Sequence, residues 1–290
     1  MQSLIQEAVR EALGDPGLLV GRLVAAGGGC ISHATRVETS SGDFFVKWNE
    51  ACAKDLFLRE AQCLRELAAA GSDLVVPRVF GAWEPDGRRP AMIVMEYLPP
   101  ARAAQGQEAL GRGLAAVHRS TADRFGFSGP TYCGATRQDN TWTAAWVEFY
   151  RERRLRAILR MVEDERGLDP AERRAYERVL ERLPELLPHD PLPALNHGDL
   201  WSGNVLQTAR GPALVDPACA WADREMEMGI VTLFGGFGEG FWRAYDEAWP
   251  LEPGWRERNP VYQLYHVLNH CLLFGGHYRA QALAIALRYA

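Results

Sequence analysis

His197-Gly198-Asp199-Leu200-Trp201-Ser202-Gly203-Asn204 is the stretch from which the rest of the chain is read. It sets an Asp and an Asn five positions apart. A second acid follows in Leu214-Val215-Asp216-Pro217-Ala218, seventeen residues after Asp199. Phosphoryl transfer from ATP to an alcohol uses these parts in this order. One carboxylate accepts the proton of the attacking hydroxyl, an amide oxygen holds one Mg²⁺, and a second carboxylate holds the metal that bridges the phosphates. Each residue also has a plainer reading: Asp199 as a turn residue, Asn204 as a cap, Asp216 as a strand-end acid before Pro217.

The chain has 290 residues, enough for a large core and for two lobes. Hydrophobic residues make up 47% and charged residues 24%, the balance of a soluble globular enzyme. Net charge is −5 and the pI is about 5.9, so no nucleic-acid partner is indicated. Arg residues within 151–160 and 172–182 alternate with acids, as on a solvated helix face. No apolar run approaches the roughly 18 residues of a membrane span. The N-terminus lacks the basic start of a secretory signal. Six cysteines are scattered without a Cys-x-x-Cys pair, which points to reduced thiols in a cytoplasmic protein and to no zinc site. Oligomeric state is not encoded, and a monomer is the default.

In chain order, residues 3–13 have helical apolar spacing that ends at Gly14-Asp15-Pro16. Leu18–Ala26 reads as a strand, and a returning strand begins near Ala34. The glycine loop between them predicts that Gly28, Gly29, Cys30, Ile31 and Ser32 cover a phosphate, because glycine lets backbone N–H groups approach an anion. Alone that signal is weak, since the full Gly-x-Gly-x-x-Gly is absent. Cys30 in this loop is either a redox-sensitive thiol or a small residue in a tight turn. Lys47 lies in the short bulky strand Phe44–Trp48, one strand after the loop. Glu60 lies on the apolar face of a helix over Ala53–Ala70, where a buried carboxylate needs a partner, and Lys47 is the natural one. Solvent exposure of both is the alternative. Strands are expected over Val75–Trp83 and Ala91–Tyr97. The second ends at Pro99-Pro100, a candidate hinge where Met95, Glu96, Tyr97 and Leu98 would meet an adenine edge. The lobe boundary falls near residue 98, giving a nucleotide lobe over 1–98 and a catalytic, substrate-binding lobe over 99–290.

Beyond the boundary the pattern is helical: Glu108–Arg119, Thr141–Val162, Asp169 to about Leu183, Arg224–Phe234, Glu239–Trp249, Pro260–Phe274 and Arg279–Tyr289. Phe125–Asn140 reads as loop, and Ala213–Val215 as a strand. Asp169-Pro170 is an N-cap with Pro at the first helical position. His118 reads as a hydrogen-bonded packing residue. His266 and His270 are four apart, but no third ligand accompanies them and their neighbours are apolar, so they read as packed rather than metal-binding.

The order of these parts gives an α+β, two-lobed, protein-kinase-like fold: an N-lobe antiparallel sheet with a helix and a mostly helical C-lobe. Lys47, fixed by Glu60, would pair with the α- and β-phosphates; Asn204 and Asp216 would hold Mg²⁺; Asp199 would be the catalytic base. The stretch from His197 to Asn204 resembles the signature of the fructosamine kinase (ketosamine-3-kinase) family, within the aminoglycoside-phosphotransferase-like, protein-kinase-like superfamily. Gly28–Ser32, Phe45-Val46-Lys47, Phe125-Gly126-Phe127, Asp139–Trp142, Asp216-Pro217-Ala218, Asp223-Arg224-Glu225, Leu233–Phe237 and Leu264–His270 are similar to it too. The resemblance implies ATP- and Mg²⁺-dependent phosphorylation of the 3-hydroxyl of a ketosamine, free or protein-bound, to a product that sheds its sugar. It leaves the sugar open. Asp223, Glu225 or Glu227 could favour the substrate amine, with Asp223 paired to Arg224 as the plainer alternative. An aminoglycoside or choline kinase of the same fold, or a non-catalytic kinase-like binding module, are the rival readings.

Overall fold

The structure, a computed structural model, describes residues 1–26, 32–101 and 106–289. Helix α1 (Gln2–Leu13) buries Ile5, Ala8 and Val9 on one stripe. It ends at Gly14, whose φ of 65° is the left-handed conformation that glycine supplies at least cost. Strands β1 (Val20–Ala25), β2 (His33–Thr39) and β3 (Gly42–Asn49) follow, then helix α2 (Leu56–Ala69) and strands β4 (Val79–Trp83) and β5 (Ala91–Glu96). They form one antiparallel sheet in the order β1-β2-β3-β5-β4. β5 lies between β3 and β4 and is apolar at every core position because both sheet faces are covered. Its Met92 and Val94 pack toward α1, and its Ala91, Ile93 and Met95 toward α2. Lys47 sits opposite Ile93 in the register, on the α2 face.

Two sequence boundaries shift here. Helix α2 starts at Leu56, three residues later than Ala53. Val75 belongs not to β4 but to a parallel bridge with Ala213, because Pro77 has no N–H to give a continuous strand.

Helix α3 (Gly106–His118) follows, then β6 (Thr131–Cys133) and β7 (Thr136–Gln138), a small hairpin inside the stretch expected to be loop. The helix expected from Thr141 begins only at α4 (Trp146–Phe149), since Thr143 is tied to Phe125 through both backbone groups, at 3.0 and 2.8 Å. It passes through a π-helical turn at Tyr150–Leu155 into α5 (Arg156–Arg166). Helix α6 (Pro170–Leu186) opens with a full capping box between Asp169 and Glu172. Then come β8 (Ala194–Asn196), a single 3-10 turn at Ser202–Asn204, β9 (Val205–Thr208), β10 (Gly211–Leu214) and β11 (Ala220–Ala222). β8 pairs with β11 and β9 with β10, so two short ladders bracket the Asp199 and Asp216 segments. Helices α7 (Arg224–Phe234), α8 (Glu239–Ala248), α9 (Trp255–Phe274) and α10 (His277–Tyr289) complete the chain, α9 starting five residues before Pro260. The arrangement is the α+β fold expected: an antiparallel sheet with helices, then a largely helical part.

Candidate active site

Strand β3 carries Lys47 to the face covered by α2, where Glu60 meets it. Lys47 Nζ lies 2.8 and 2.9 Å from the two Glu60 carboxylate oxygens and 2.8 Å from Asp216 Oδ1. Burial disfavours the Lys47 cation, but the two carboxylates more than offset it, and its pKa is raised. Burial raises Glu60; for Asp216 the same burial is outweighed by Lys47, and its pKa is lowered. Asp216 has φ 56°, the one positive value at a non-glycine among the described residues. Such a conformation is strained, and here it turns a carboxylate that is 39% exposed toward Lys47.

Behind the Asp199 loop, Gly198 has φ 84°, and a Cβ there would meet the Ala218 carbonyl oxygen at 2.1 Å. The loop needs glycine on both counts. Glu227 of α7 accepts from the backbone N–H groups of His197 and Gly198, so a buried carboxylate fixes the loop from below. Burial raises its pKa, but His118, His197 and the Gly198 N–H pull it below the usual range. His197 accepts from the Asp199 N–H at Nδ1 and lies 3.0 Å from the Val215 carbonyl at Nε2. That pattern assigns the neutral tautomer with the proton on Nε2, and burial lowers its pKa accordingly.

Asn204 donates through Nδ2 to the Asp199 carbonyl at 2.8 Å and to its Oδ2 at 3.1 Å. Its amide oxygen is therefore the group left to take a cation. Burial pushes Asp199 up to about 7, with hydrogen bonds from Cys133 and Asn204 drawing it only part of the way back. A base poised near neutrality suits proton abstraction from a hydroxyl.

Lys47, Glu60, Asp199, Asn204, Asp216 and Ser32 all line one cavity of about 380 Å³. Of the expected nucleotide loop, Gly28, Gly29, Cys30 and Ile31 lie outside the described residues. The hinge residues Met95, Glu96, Tyr97 and Leu98 do not line this cavity. Met95 packs among Phe57, Ala61 and Leu64, and Leu98 is buried. The Glu96 N–H is bonded to the Arg78 carbonyl at 2.8 Å, so it cannot donate to a base edge. Tyr97 carries the Arg36 guanidinium over its ring.

The acids proposed to face the substrate amine are elsewhere. Asp223 accepts from the Glu225 N–H and the Tyr262 hydroxyl, and meets His189 at 2.6 Å. Glu225 accepts from Arg258 Nε and Nη2, one to each carboxylate oxygen. Arg224 turns to the Trp249 carbonyl and not to Asp223, so that pair is not formed. His189, Asp223 and Glu225 are close enough to suggest a metal cluster, but Arg258, Tyr262 and each other already occupy them. His118 is a packing residue as expected, 2.8 Å from the Tyr245 hydroxyl.

The cavity has one wall that motif reading did not assign to a site. Trp201, Phe234, His270, Phe274 and Tyr278 line it, their rings 4.7 to 6.5 Å apart from one to the next. Trp201 is 41% and Phe274 55% exposed, so apolar ring surface is open beside Asp199. Apolar spacing on α9 had made His270 look like a core residue. Cys133 and Asn269 also reach the cavity, Asn269 donating to the Cys133 sulfur at 3.3 Å. Cys133 belongs to no motif in the sequence, and Asn269 lies in the Leu264–His270 segment that resembles the family but carries no assigned role there.

Comparison with known proteins gives the family. The family model described as fructosamine kinase matches residues 1–289. A probable ketoamine kinase of Vibrio parahaemolyticus is 38% identical over 262 residues, 89% of each chain. A chloroplastic protein-ribulosamine 3-kinase of Arabidopsis thaliana is 35% identical over 292 residues, covering 98% of this chain and 88% of that one. A crystal structure from Thermobifida fusca, provisionally assigned as a fructosamine-3-kinase, superimposes with a TM-score of 0.85 at 34% identity, over 97% and 98% of the two chains.

Proposed function

Since the chain belongs to the fructosamine kinase family and is thus an ATP-dependent phosphotransferase, we propose that it phosphorylates the 3-hydroxyl of a ketosamine and so promotes deglycation. The observation that carries this reading is the convergence of Lys47, Glu60, Asp199, Asn204 and Asp216 on one cavity. Five residues that are 169 positions apart at the extremes meet there in the roles phosphoryl transfer needs.

In this mechanism Lys47, oriented by Glu60, pairs with the α- and β-phosphates. Asp199 sits at the cavity wall and accepts the proton of the attacking hydroxyl, while Asn204 fixes its carboxylate through Nδ2. Glu227 holds the loop that presents it. Asn204 through its amide oxygen and Asp216 through its carboxylate have the hard oxygen donors that suit Mg²⁺, which when bound supplies charge neutralisation on the transferring group. Most of the acceleration then comes from positioning and electrostatics. The aromatic wall from Trp201 to Tyr278 suits the sugar-amine adduct, whose apolar face and cationic nitrogen both pack on rings.

Residues 1–98 form the nucleotide lobe in this reading, and Gly28–Ser32 cover the phosphates. The adenine edge approaches the Met95–Leu98 segment without the Glu96 N–H, which is already bonded. Among the described residues no helix is long and apolar enough to cross a membrane. Five described cysteines are free thiols, which supports a reducing, cytoplasmic setting.

The test is ADP release with Mg²⁺-ATP and fructosyl-lysine, ribulosyl-lysine, an aminoglycoside or choline, with Asp199→Asn as the blank. Turnover on a ketosamine, lost by about 10²-fold or more in the variant, is the expected result. Turnover only on another alcohol overturns the substrate, and undiminished turnover in Asp199→Asn overturns the base.

A further inference from the structure

Behind the catalytic loop lies a second, much smaller cavity of about 10 Å³. Its lining includes Arg154, Asn196, Gly198, Glu227 and His266. Arg154 is 1% exposed, yet among the described residues no carboxylate oxygen lies within 4.0 Å of it. Its guanidinium donates instead to the Asp139 and Arg153 carbonyls at 2.9 and 3.1 Å and to Asn140 Oδ1 at 2.7 Å, with the Phe149 ring 4.7 Å away. Arg154 stands in the π-helical turn of Tyr150–Leu155, a departure from α geometry that often marks a functional position. Four buried polar atoms around the cavity have no partner among the described residues: Arg154 Nε, Asn196 Oδ1 and both ring nitrogens of His266. Orphans of this kind are costly, and they occur here together rather than scattered.

The volume matches a single water, and the lining supplies a donor, an acceptor and a ring nitrogen of either character. We infer that one buried water occupies this cavity and that Arg154, acting through it on Asn196, is a positioning residue for the loop that carries Asp199. Arg154 Nε donates to the water, and the water donates to Asn196 Oδ1 and meets His266. Asn196 ends β8 and immediately precedes His197, so a fixed Asn196 fixes the start of the loop. Its other amide atom is already anchored, donating to the Asp223 carbonyl at 2.9 Å. Glu227 holds the next two residues, and the Arg154 cation and that buried anion both line the cavity. The loop is therefore clamped from two sides, by Glu227 directly and by Arg154 through the water.

The inference rests on Asp199 being the base, so its test has an arm that needs no substrate. A high-resolution crystal structure of the full chain is expected to show one ordered water within hydrogen-bond distance of Arg154 Nε and Asn196 Oδ1. A dry cavity, or Arg154 Nε bonded to protein, overturns it. The kinetic arm compares Arg154→Met, Arg154→Lys and Ala220→Val, the last filling the cavity from β11 while Arg154 itself is kept. Loss of about tenfold or more in kcat is expected for Arg154→Met and Ala220→Val, with ATP affinity by calorimetry unchanged and partial recovery in Arg154→Lys. Wild-type kcat in Ala220→Val, with the cavity shown to be filled, overturns the role. So does an Arg154→Met protein that loses only unfolding temperature. If Arg154→Met does not fold, Ala220→Val decides alone. Absence of turnover in the wild type on every ketosamine would instead count against the proposed reaction and leave the crystallographic arm standing.

Discussion

Asp199 is placed under two opposing demands. As the proposed base it would have to face the acceptor hydroxyl from the cavity wall and be dry enough to hold a basic carboxylate. Burial resolves this by lifting its pKa to about 7. The sign of the consequence for stability follows from linkage. A carboxyl whose folded pKa lies above its unfolded value of about 3.9 favours folding fully only below that unfolded value. The advantage disappears as pH rises through about 7, and above it the buried charge opposes the fold. Asn has the shape of the protonated acid and no charge. Asp199→Asn is therefore expected to raise the unfolding temperature of the ligand-free protein, and to raise it more at pH 8 than at pH 5. Calorimetry at the two pH values checks it, and an equal or reversed increment would remove burial as the cause of the shift. For the wild type, kcat/KM should fall about tenfold per pH unit below neutrality as the base protonates. A profile flat down to pH 5 would contradict a base of this pKa.

Elements that carry their own start and stop chemistry were legible in the sequence, and those defined by distant partners were not. Helix α6 shows the first case. Asp169 accepts from the Ala171 and Glu172 N–H groups while Glu172 reaches back to the Asp169 N–H at 2.9 Å, all within four residues. Asp169→Ala should cost about 1 kcal/mol, lower the unfolding temperature by roughly 2 °C, and leave kcat unchanged, which thermal denaturation beside steady-state kinetics would show. A lost kcat would mean that α6 does more than support the core. The β6–β7 hairpin and β11 show the second case: three-residue strands without periodicity, specified by Asn269, Tyr265 and β8 from far along the chain. The same division holds in the site. Lys47, Glu60, Asp199, Asn204 and Asp216 announce themselves by residue type and order. The wall of Phe234, His270, Phe274 and Tyr278 does not, because ring spacing on a helix looks alike whether the rings face a core or a cavity. Asp223 and Glu225 misled for the converse reason. Their acidity suggested a cationic ligand, while Arg258, Tyr262 and His189 had already neutralised or bonded them inside the fold.

Across the whole molecule, the sheet and the helical part share a core and do not simply touch. One buried cluster joins Cys63, Leu67 and Leu74 from the region of α2 with Leu110, Leu114, Leu195, Leu214 and Cys219 from beyond residue 98. The backbone crosses as well: Val75 donates to the Pro212 carbonyl at 3.0 Å and accepts from the Leu214 N–H at 2.9 Å. Lys47 adds an ion pair over the same gap to Asp216. Exposing either part alone would open this cluster to water at roughly 25 cal/mol per Å² of apolar area, and would exchange the paired backbone bonds for bonds to water at a net loss of about 1 kcal/mol each. The two lobes proposed for function should then be one unit in folding. Calorimetry of the ligand-free chain is expected to show a single transition whose van't Hoff and calorimetric enthalpies agree. Saturating ATP with Mg²⁺ should move that one transition upward as a whole, by about 2.7 kcal/mol at a hundredfold excess over Kd. Two resolved transitions, or a shift confined to one of them, would mean that the cluster around Cys63 and Cys219 does not couple the parts. A fragment of residues 1–98 should likewise fail to fold alone, since Cys63, Leu67 and Leu74 would be left uncovered. Cooperative unfolding of that fragment would refute the shared core directly.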